Sequence, residues 1–210
     1  MEDEPIVFVL SGKRKSGKDF VAKKLKEILG NDNCFIITLS GPLKYEYARE
    51  HELDFDRLLD STDYKERYRV DMIHWGEKKR SKEPDYFCKK ATKIAMKHFN
   101  GNASDSNREL KCGKISSCRR KVWIVSDARR TSDLSYFQQN FKSTITVRII
   151  ATDEVRACRG WVFKEGVDDA ESECGLDKEN FDLIIENNDS EEKLEQSLKI
   201  MVFPLVESTE

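Results

Sequence analysis

No run of the sequence approaches the ~18 apolar residues of a membrane-spanning helix, so no membrane partner is expected. Net charge is also scarce: 37 Lys+Arg stand against 39 Asp+Glu, leaving −2. A general polyanion binder is usually clearly basic, which argues against nucleic acid as a partner and requires the cations to act in local clusters. Six cysteines (34, 88, 112, 118, 158, 174) have no zinc-ribbon spacing and read as reduced thiols. Cys112 and Cys118 share one polar loop, with no His or further Cys nearby to complete a metal set. The acidic start MEDEPIVFVL holds too short an apolar run for a signal peptide, and VESTE is no peroxisomal ending. A cytoplasmic monomer is therefore expected, and the sequons at Asn102 and Asn188 are then chance matches. Neither N-K-x-D nor D-x-x-G occurs, which removes a guanine-nucleotide switch, and no internal repeat is visible.

What is present is a series of short, continuous apolar runs. IVFVL (6–10), CFIITL (34–39), KVWIV (121–125), TITVRII (144–150) and FDLIIE (181–186) read as buried strands. Helical patterns lie between them. Lys18–Leu29 places Val21, Leu25, Ile28 and Leu29 on one face and stops at Gly30. Residues 42–98 are helical and heavily charged, with Pro84 placed to open a new helix. A last helix is expected from about Ser190 to Val202. Buried strands alternating with helices imply an α/β fold with a five-stranded parallel sheet covered on both faces. The chain's 210 residues suit one domain with a core and a mobile lid. Residues 100–118 are polar, contain Gly and Ser, and lack apolar periodicity, so they read as a long exposed loop.

The first strand runs into G-K-R-K-S-G-K (12–18), which fits the phosphate-loop pattern G-x-x-x-x-G-K ahead of a helix. Glycines let backbone N–H groups turn inward around a phosphate, and the helix N-terminus adds partial positive charge. Gly12, Lys13, Arg14, Lys15, Ser16, Gly17 and Lys18 are thus candidate nucleotide contacts, with Lys18 reaching the β- and γ-phosphates. The position that commonly supplies a hydroxyl to Mg²⁺ is Asp19. Two roles fit it: a ligand for a hard cation, or an acid favoured at the helix N-terminus.

Two more clusters follow. V-S-D-A-R-R (125–130) closes the third strand, and ligands of open parallel sheets bind outside the carboxyl ends of strands. Asp127 is placed as a metal-orienting acid there. Arg129 and Arg130 suit bidentate phosphate or carboxylate binding, the bland alternative being solvated helix-start charge. Arg156 and Arg159 fall at i and i+3 ahead of a Gly-punctuated acidic run to 177. They could close over transferring phosphate from a lid at about 151–177, or simply line a solvated face. Several phosphates, donor and acceptor together, would account for so many local cations. The reading is an ATP-dependent small-molecule kinase. The three histidines (51, 74, 98) lie in expected helices away from the strand ends.

SGKRKSGKDF (11–20), LSGPLK (39–44), DMIHWGEKKR (71–80), VSDARR (125–130) and RGWVF with GVDDAESECGLD (159–177) closely resemble the animal-type phosphomevalonate kinase family. The likeness covers nearly the whole chain. It implies a P-loop, nucleoside-monophosphate-kinase-like fold with a substrate-binding helical region (about 42–99) and a lid. It also implies γ-phosphoryl transfer from ATP, with Mg²⁺, to (R)-5-phosphomevalonate in isoprenoid and sterol synthesis. By position, it implies catalytic roles for Lys18, Asp19, Arg129 and Arg130. Arg156 and Asn187 become nucleotide contacts, and Lys13, Arg80, Arg129, Arg130, Arg159 and Asn188 substrate contacts. The 100–118 insertion is longer than the family leads one to expect. The acceptor is already a phosphate monoester with a second pKa near ~6, so no general base is needed. The alternative is a nucleoside-monophosphate kinase or another small-molecule P-loop kinase.

Overall fold

The computed structural model describes residues 4–60, 63–101 and 121–207. Five strands, β1 (Ile6–Ser11), β2 (Cys34–Ile37), β3 (Val122–Val125), β4 (Thr144–Ile150) and β5 (Leu183–Glu186), form one parallel sheet in the order β2-β3-β1-β4-β5. β1 is fully buried because alternate side chains enter opposite cores. Ile6, Phe8 and Leu10 meet Val21 and Leu25 of α1 (Lys18–Leu29) and Leu194 and Leu198 of α9 (Glu191–Glu207). Val7 and Val9 meet Cys88, Ala91 and Ala95 of α5 (Tyr86–Gly101) and Leu134 and Phe137 of α6 (Thr131–Asn140). The expected α/β fold is therefore present, and no described helix is long and apolar enough to cross a membrane.

The long helical stretch after β2 divides into α2 (Ser40–Glu50), α3 (Phe55–Leu59), α4 (Asp63–Arg80) and α5. Tyr47, Leu58, Met72, Trp75 and Phe87 give these helices a core of their own. Gly76 lets α4 approach α2 closely, since a Cβ there would stand 2.8 Å from Leu43 Cδ1.

Several boundaries differ from expectation. β2 stops at Ile37 rather than Leu39, because the Asp127 carboxylate accepts the N–H groups of Leu39 (2.6 Å) and Ser40 (2.9 Å) and turns the chain into α2. β5 begins at Leu183, since Asp182 is occupied with Thr146, accepting from its N–H and its hydroxyl at 2.7 Å each. α9 runs past Val202 and through Pro204 to Glu207, where burial of Val202 and Val206 against the sheet offsets the ladder bond that proline removes. Residues 153–174 carry two short helices, α7 (Asp153–Cys158) and α8 (Glu171–Cys174). Of the expected 100–118 loop, residues 100 and 101 belong to α5, and the rest lies outside the described residues.

Candidate active site

β1 stands at the point where the strand order reverses, and the loop leaving its carboxyl end is Gly12–Lys18. Lys15 (φ 65°) and Gly17 (φ 91°) both enter the left-handed region, a backbone pattern that forms anion-binding concavities. Gly12 is pinned too, because a Cβ there would lie 2.6 Å from both Ile149 O and Ser16 Oγ. The loop is held from outside by its carbonyl groups. Arg156 Nε donates to Arg14 O (2.9 Å), while Arg159 Nη1 (3.1 Å) and Asn187 Nδ2 (2.9 Å) both donate to Ser16 O. A trans peptide points its C=O and N–H in opposite directions. Fixing these carbonyls outward therefore turns the Lys15 and Gly17 N–H groups the other way.

Beside the loop lies a cavity of about 410 Å³ at the carboxyl ends of β2 and β3, against the start of α1. Lys18, Asp19, Asp127, Arg129, Arg130 and Arg80 line it, so the structure gathers six of the expected residues, from three separate stretches of chain, in one place. Lys18 is buried, and desolvation, reinforced by Arg129, lowers its pKa to about 8. Arg130 pairs with Glu77 and Arg129 with Glu173. Arg130 Nε and Ser16 Oγ are buried without a hydrogen-bond partner among the described residues. Within a fold that satisfies most buried polar atoms, such groups point to a ligand.

Three cations lining the same cavity were not anticipated: Lys44, Lys65 and Arg69. Burial lowers Lys65 to about 8, with Lys44 and Arg69 adding to the effect, and burial also lowers Lys44. Arg69 is held by both oxygens of Glu66. Among the described residues neither lysine makes an ion pair, so the cavity concentrates uncompensated positive charge. The signal was present as helical spacing, because Lys65, Arg69, Met72, Ile73, Gly76 and Arg80 recur every three or four residues along one face of α4.

Asp133 was also missed. It is fully buried and accepts the backbone N–H groups of Arg129 (2.9 Å) and Arg130 (3.0 Å) through Oδ2. Arg80 Nη1 donates to its Oδ1 at 2.6 Å. One carboxylate on α6 thus fixes three arginines of the cavity. Burial works against the Arg80 charge, but contact with Asp133 more than compensates and raises its pKa.

The remaining expected residues sit elsewhere. Lys13 pairs with Asp177 (2.7 Å). Arg14 turns away from the loop's interior and pairs with Asp168 (2.6 Å). Burial alone would raise the Asp168 pKa, yet hydrogen bonds from Arg14, Trp161 and the Lys164 N–H hold it below the usual carboxylate range. Arg156 packs over the Trp161 ring at 4.0 Å. Asn188 lines neither this cavity nor the neighbouring one of about 340 Å³; its Oδ1 accepts the Thr152 N–H (2.8 Å).

A family model described as phosphomevalonate kinase matches residues 10–143. Phosphomevalonate kinase of Drosophila melanogaster is 36% identical over 187 residues, covering 87% of this chain and 88% of that protein. The crystal structure of a Thermus thermophilus protein shares the fold, with a TM-score of 0.50 at 17% identity over 95% of this chain and 97% of that one. Dephospho-CoA kinase from Campylobacter jejuni aligns more loosely, with a TM-score of 0.46 at 10% identity over 98% of this chain and all (100%) of that one.

Proposed function

The chain belongs to the phosphomevalonate kinase family, and from that premise we propose how its cavity moves the γ-phosphoryl group of ATP onto the phosphate of (R)-5-phosphomevalonate. The observation that carries the proposal is the cation-lined cavity of about 410 Å³ beside the phosphate loop. Both reactants are polyanions, so the barrier the protein must lower is their mutual repulsion. The transfer itself asks little beyond in-line alignment and charge neutralisation. Lys18, which opens α1 directly after the loop, serves the donor end. Lys44, Lys65 and Arg69, which project from α2 and α4, serve the acceptor end. Arg129, Arg130 and Arg80 stand between as one unit braced by Asp133. The acceptor's phosphate is largely dianionic at neutral pH and supplies its own nucleophilic oxygen, so no side chain removes a proton.

Asp19 and Asp127 face the cavity and fit a Mg²⁺ site of the usual kinase kind, where one or two carboxylates share the ion with phosphates and water. Each oxygen of Asp127 that caps α2 keeps a second lone pair. When bound, Mg²⁺ neutralises charge on the β- and γ-phosphate oxygens. Residues 151–177 act as a lid. Its arginines shape the phosphate loop from outside rather than touch phosphate. The helices of 40–101 form the acceptor side, and a cytosolic monomer fits a cavity completed by one chain.

A coupled ADP-release assay tests this reading. It should give turnover with phosphomevalonate and little with mevalonate or any nucleoside monophosphate. Preference for a nucleoside monophosphate would overturn it.

A further inference from the structure

Glu173, on the short helix α8, is the one acid among the described residues that reaches the phosphate loop's own backbone. Its Oε2 accepts the N–H of Arg14 at 2.7 Å, and its Oε1 accepts from the Arg129 guanidinium, which also donates to Ser172 O at 3.1 Å. The carboxylate is nearly inaccessible, with its side chain 7% exposed, yet it lines the cavity alongside Lys18. It lies close enough to Lys18 for its charge to favour the ammonium form. A loop N–H and an arginine converging on two carboxylate oxygens, with a lysine lining the same cavity, form the kind of donor set that a phosphoryl group requires.

Resting on the kinase reading above, we propose that Glu173 is a specificity-determining residue whose carboxylate occupies the anion position of the cavity until a phosphate dianion displaces it. Arg129 and the Arg14 N–H cannot serve Glu173 and a substrate phosphate at once. An acceptor bearing a dianionic phosphate carries more charge than a carboxylate and takes Arg129 from it. Water and neutral hydroxyl acceptors bring no such charge and leave Glu173 in place. The residue thereby links assembly of the cationic site to arrival of the correct acceptor. It also suppresses hydrolysis, in which a water oxygen bonds to the γ-phosphorus as the β,γ-bridging P–O bond breaks, leaving ADP, inorganic phosphate and a proton released to solvent.

The strength of such self-occupancy is set by population. If the open site is about one-tenth populated, removing the occupant tightens anion binding about tenfold. The test compares wild type with Glu173→Ala and Glu173→Gln, using inorganic phosphate and phosphomevalonate as separate probes of the unliganded enzyme, with binding followed by ³¹P NMR. Both variants should bind inorganic phosphate about five- to tenfold more tightly, and acceptor-independent ATP hydrolysis should rise against kinase turnover. Thermal melting identifies a variant that fails to fold, in which case the other supplies the result. Unchanged or weaker phosphate binding in folded variants overturns the proposal, because Glu173 would then be only a strut between lid and loop. Tighter phosphate binding with no phosphomevalonate turnover in wild type would leave the Glu173 role standing and remove the acceptor assignment. Normal turnover with unchanged phosphate binding would do the reverse.

Discussion

Removing Asp133 should cost stability and catalysis together, although it lines no part of the cavity. Its carboxylate is fully buried, accepts two backbone N–H groups, and pairs with Arg80, whose own side chain is 12% exposed. Breaking a buried ion pair by deleting one partner costs about 3–5 kcal/mol, since the other charge is left uncompensated. Two orphaned N–H groups would each add about 1–3 kcal/mol if nothing relaxed, but Arg80 borders the cavity and regains water, so about 3–5 kcal/mol in total is expected for Asp133→Ala. That is a large share of a typical stability of about 5–15 kcal/mol. At roughly 2–4 °C per kcal/mol for a chain of this size, Tm falls by about 6–20 °C. Asp133→Asn keeps the shape and one acceptor but loses the charge, so it should fall by less while still lowering kcat/KM for the acceptor. Calorimetric melting and steady-state kinetics read the two effects. Asp133→Asn with wild-type Tm and wild-type kcat/KM would refute the bracing role.

Other expectations follow from the same cavity. Lys18→Met should lower kcat at least ~10²-fold, the scale of losing a preorganised charge stabiliser, while raising Tm because a buried ammonium is removed. With its free-enzyme pKa lowered to about 8, Lys18 is charged below that pH, so kcat/KM should fall as pH rises through about 8. Over the window from about 8 to 10.5 the unfolded chain holds more of that proton, so Lys18 makes stability rise with pH there. Lys65→Ala should lower kcat/KM for the acceptor by about tenfold to a hundredfold, from loss of a charged contact of about 1.5–3 kcal/mol, with ATP affinity little changed by direct titration. If Lys65→Ala instead weakened ATP alone, the donor and acceptor ends would have to be exchanged.

The sheet was legible because parallel strands buried on both faces read as unbroken apolar runs, and the phosphate loop because a strand and a helix frame its glycines. What escaped notice depends on pairing across distance. Asp133 looks like an ordinary acid in the first turn of a helix until Arg80, from 53 residues earlier, folds against it. The end of β2 is set by Asp127, 88 residues beyond Leu39. Charge density named Arg14 as a phosphate ligand, yet Asp168, 154 residues later, draws its side chain outward. Lys65 and Arg69 were masked by their neighbours, since α4 is charged nearly all round and its inward stripe emerges only against the glycine-mediated contact with α2.

The claim at the centre of this account is that the acceptor's own ionisation, and no side chain, supplies the nucleophile. The direct test is the ascending limb of kcat/KM against pH, measured first with phosphomevalonate and then with its more acidic phosphorothioate analogue. The limb should sit near the acceptor's second ionisation, about 6 for a phosphate monoester, and move to lower pH with the analogue. A limb that stays fixed when the acceptor is changed, or vanishes on replacement of His51 or His74 by Gln, would place the proton on the enzyme and contradict the account.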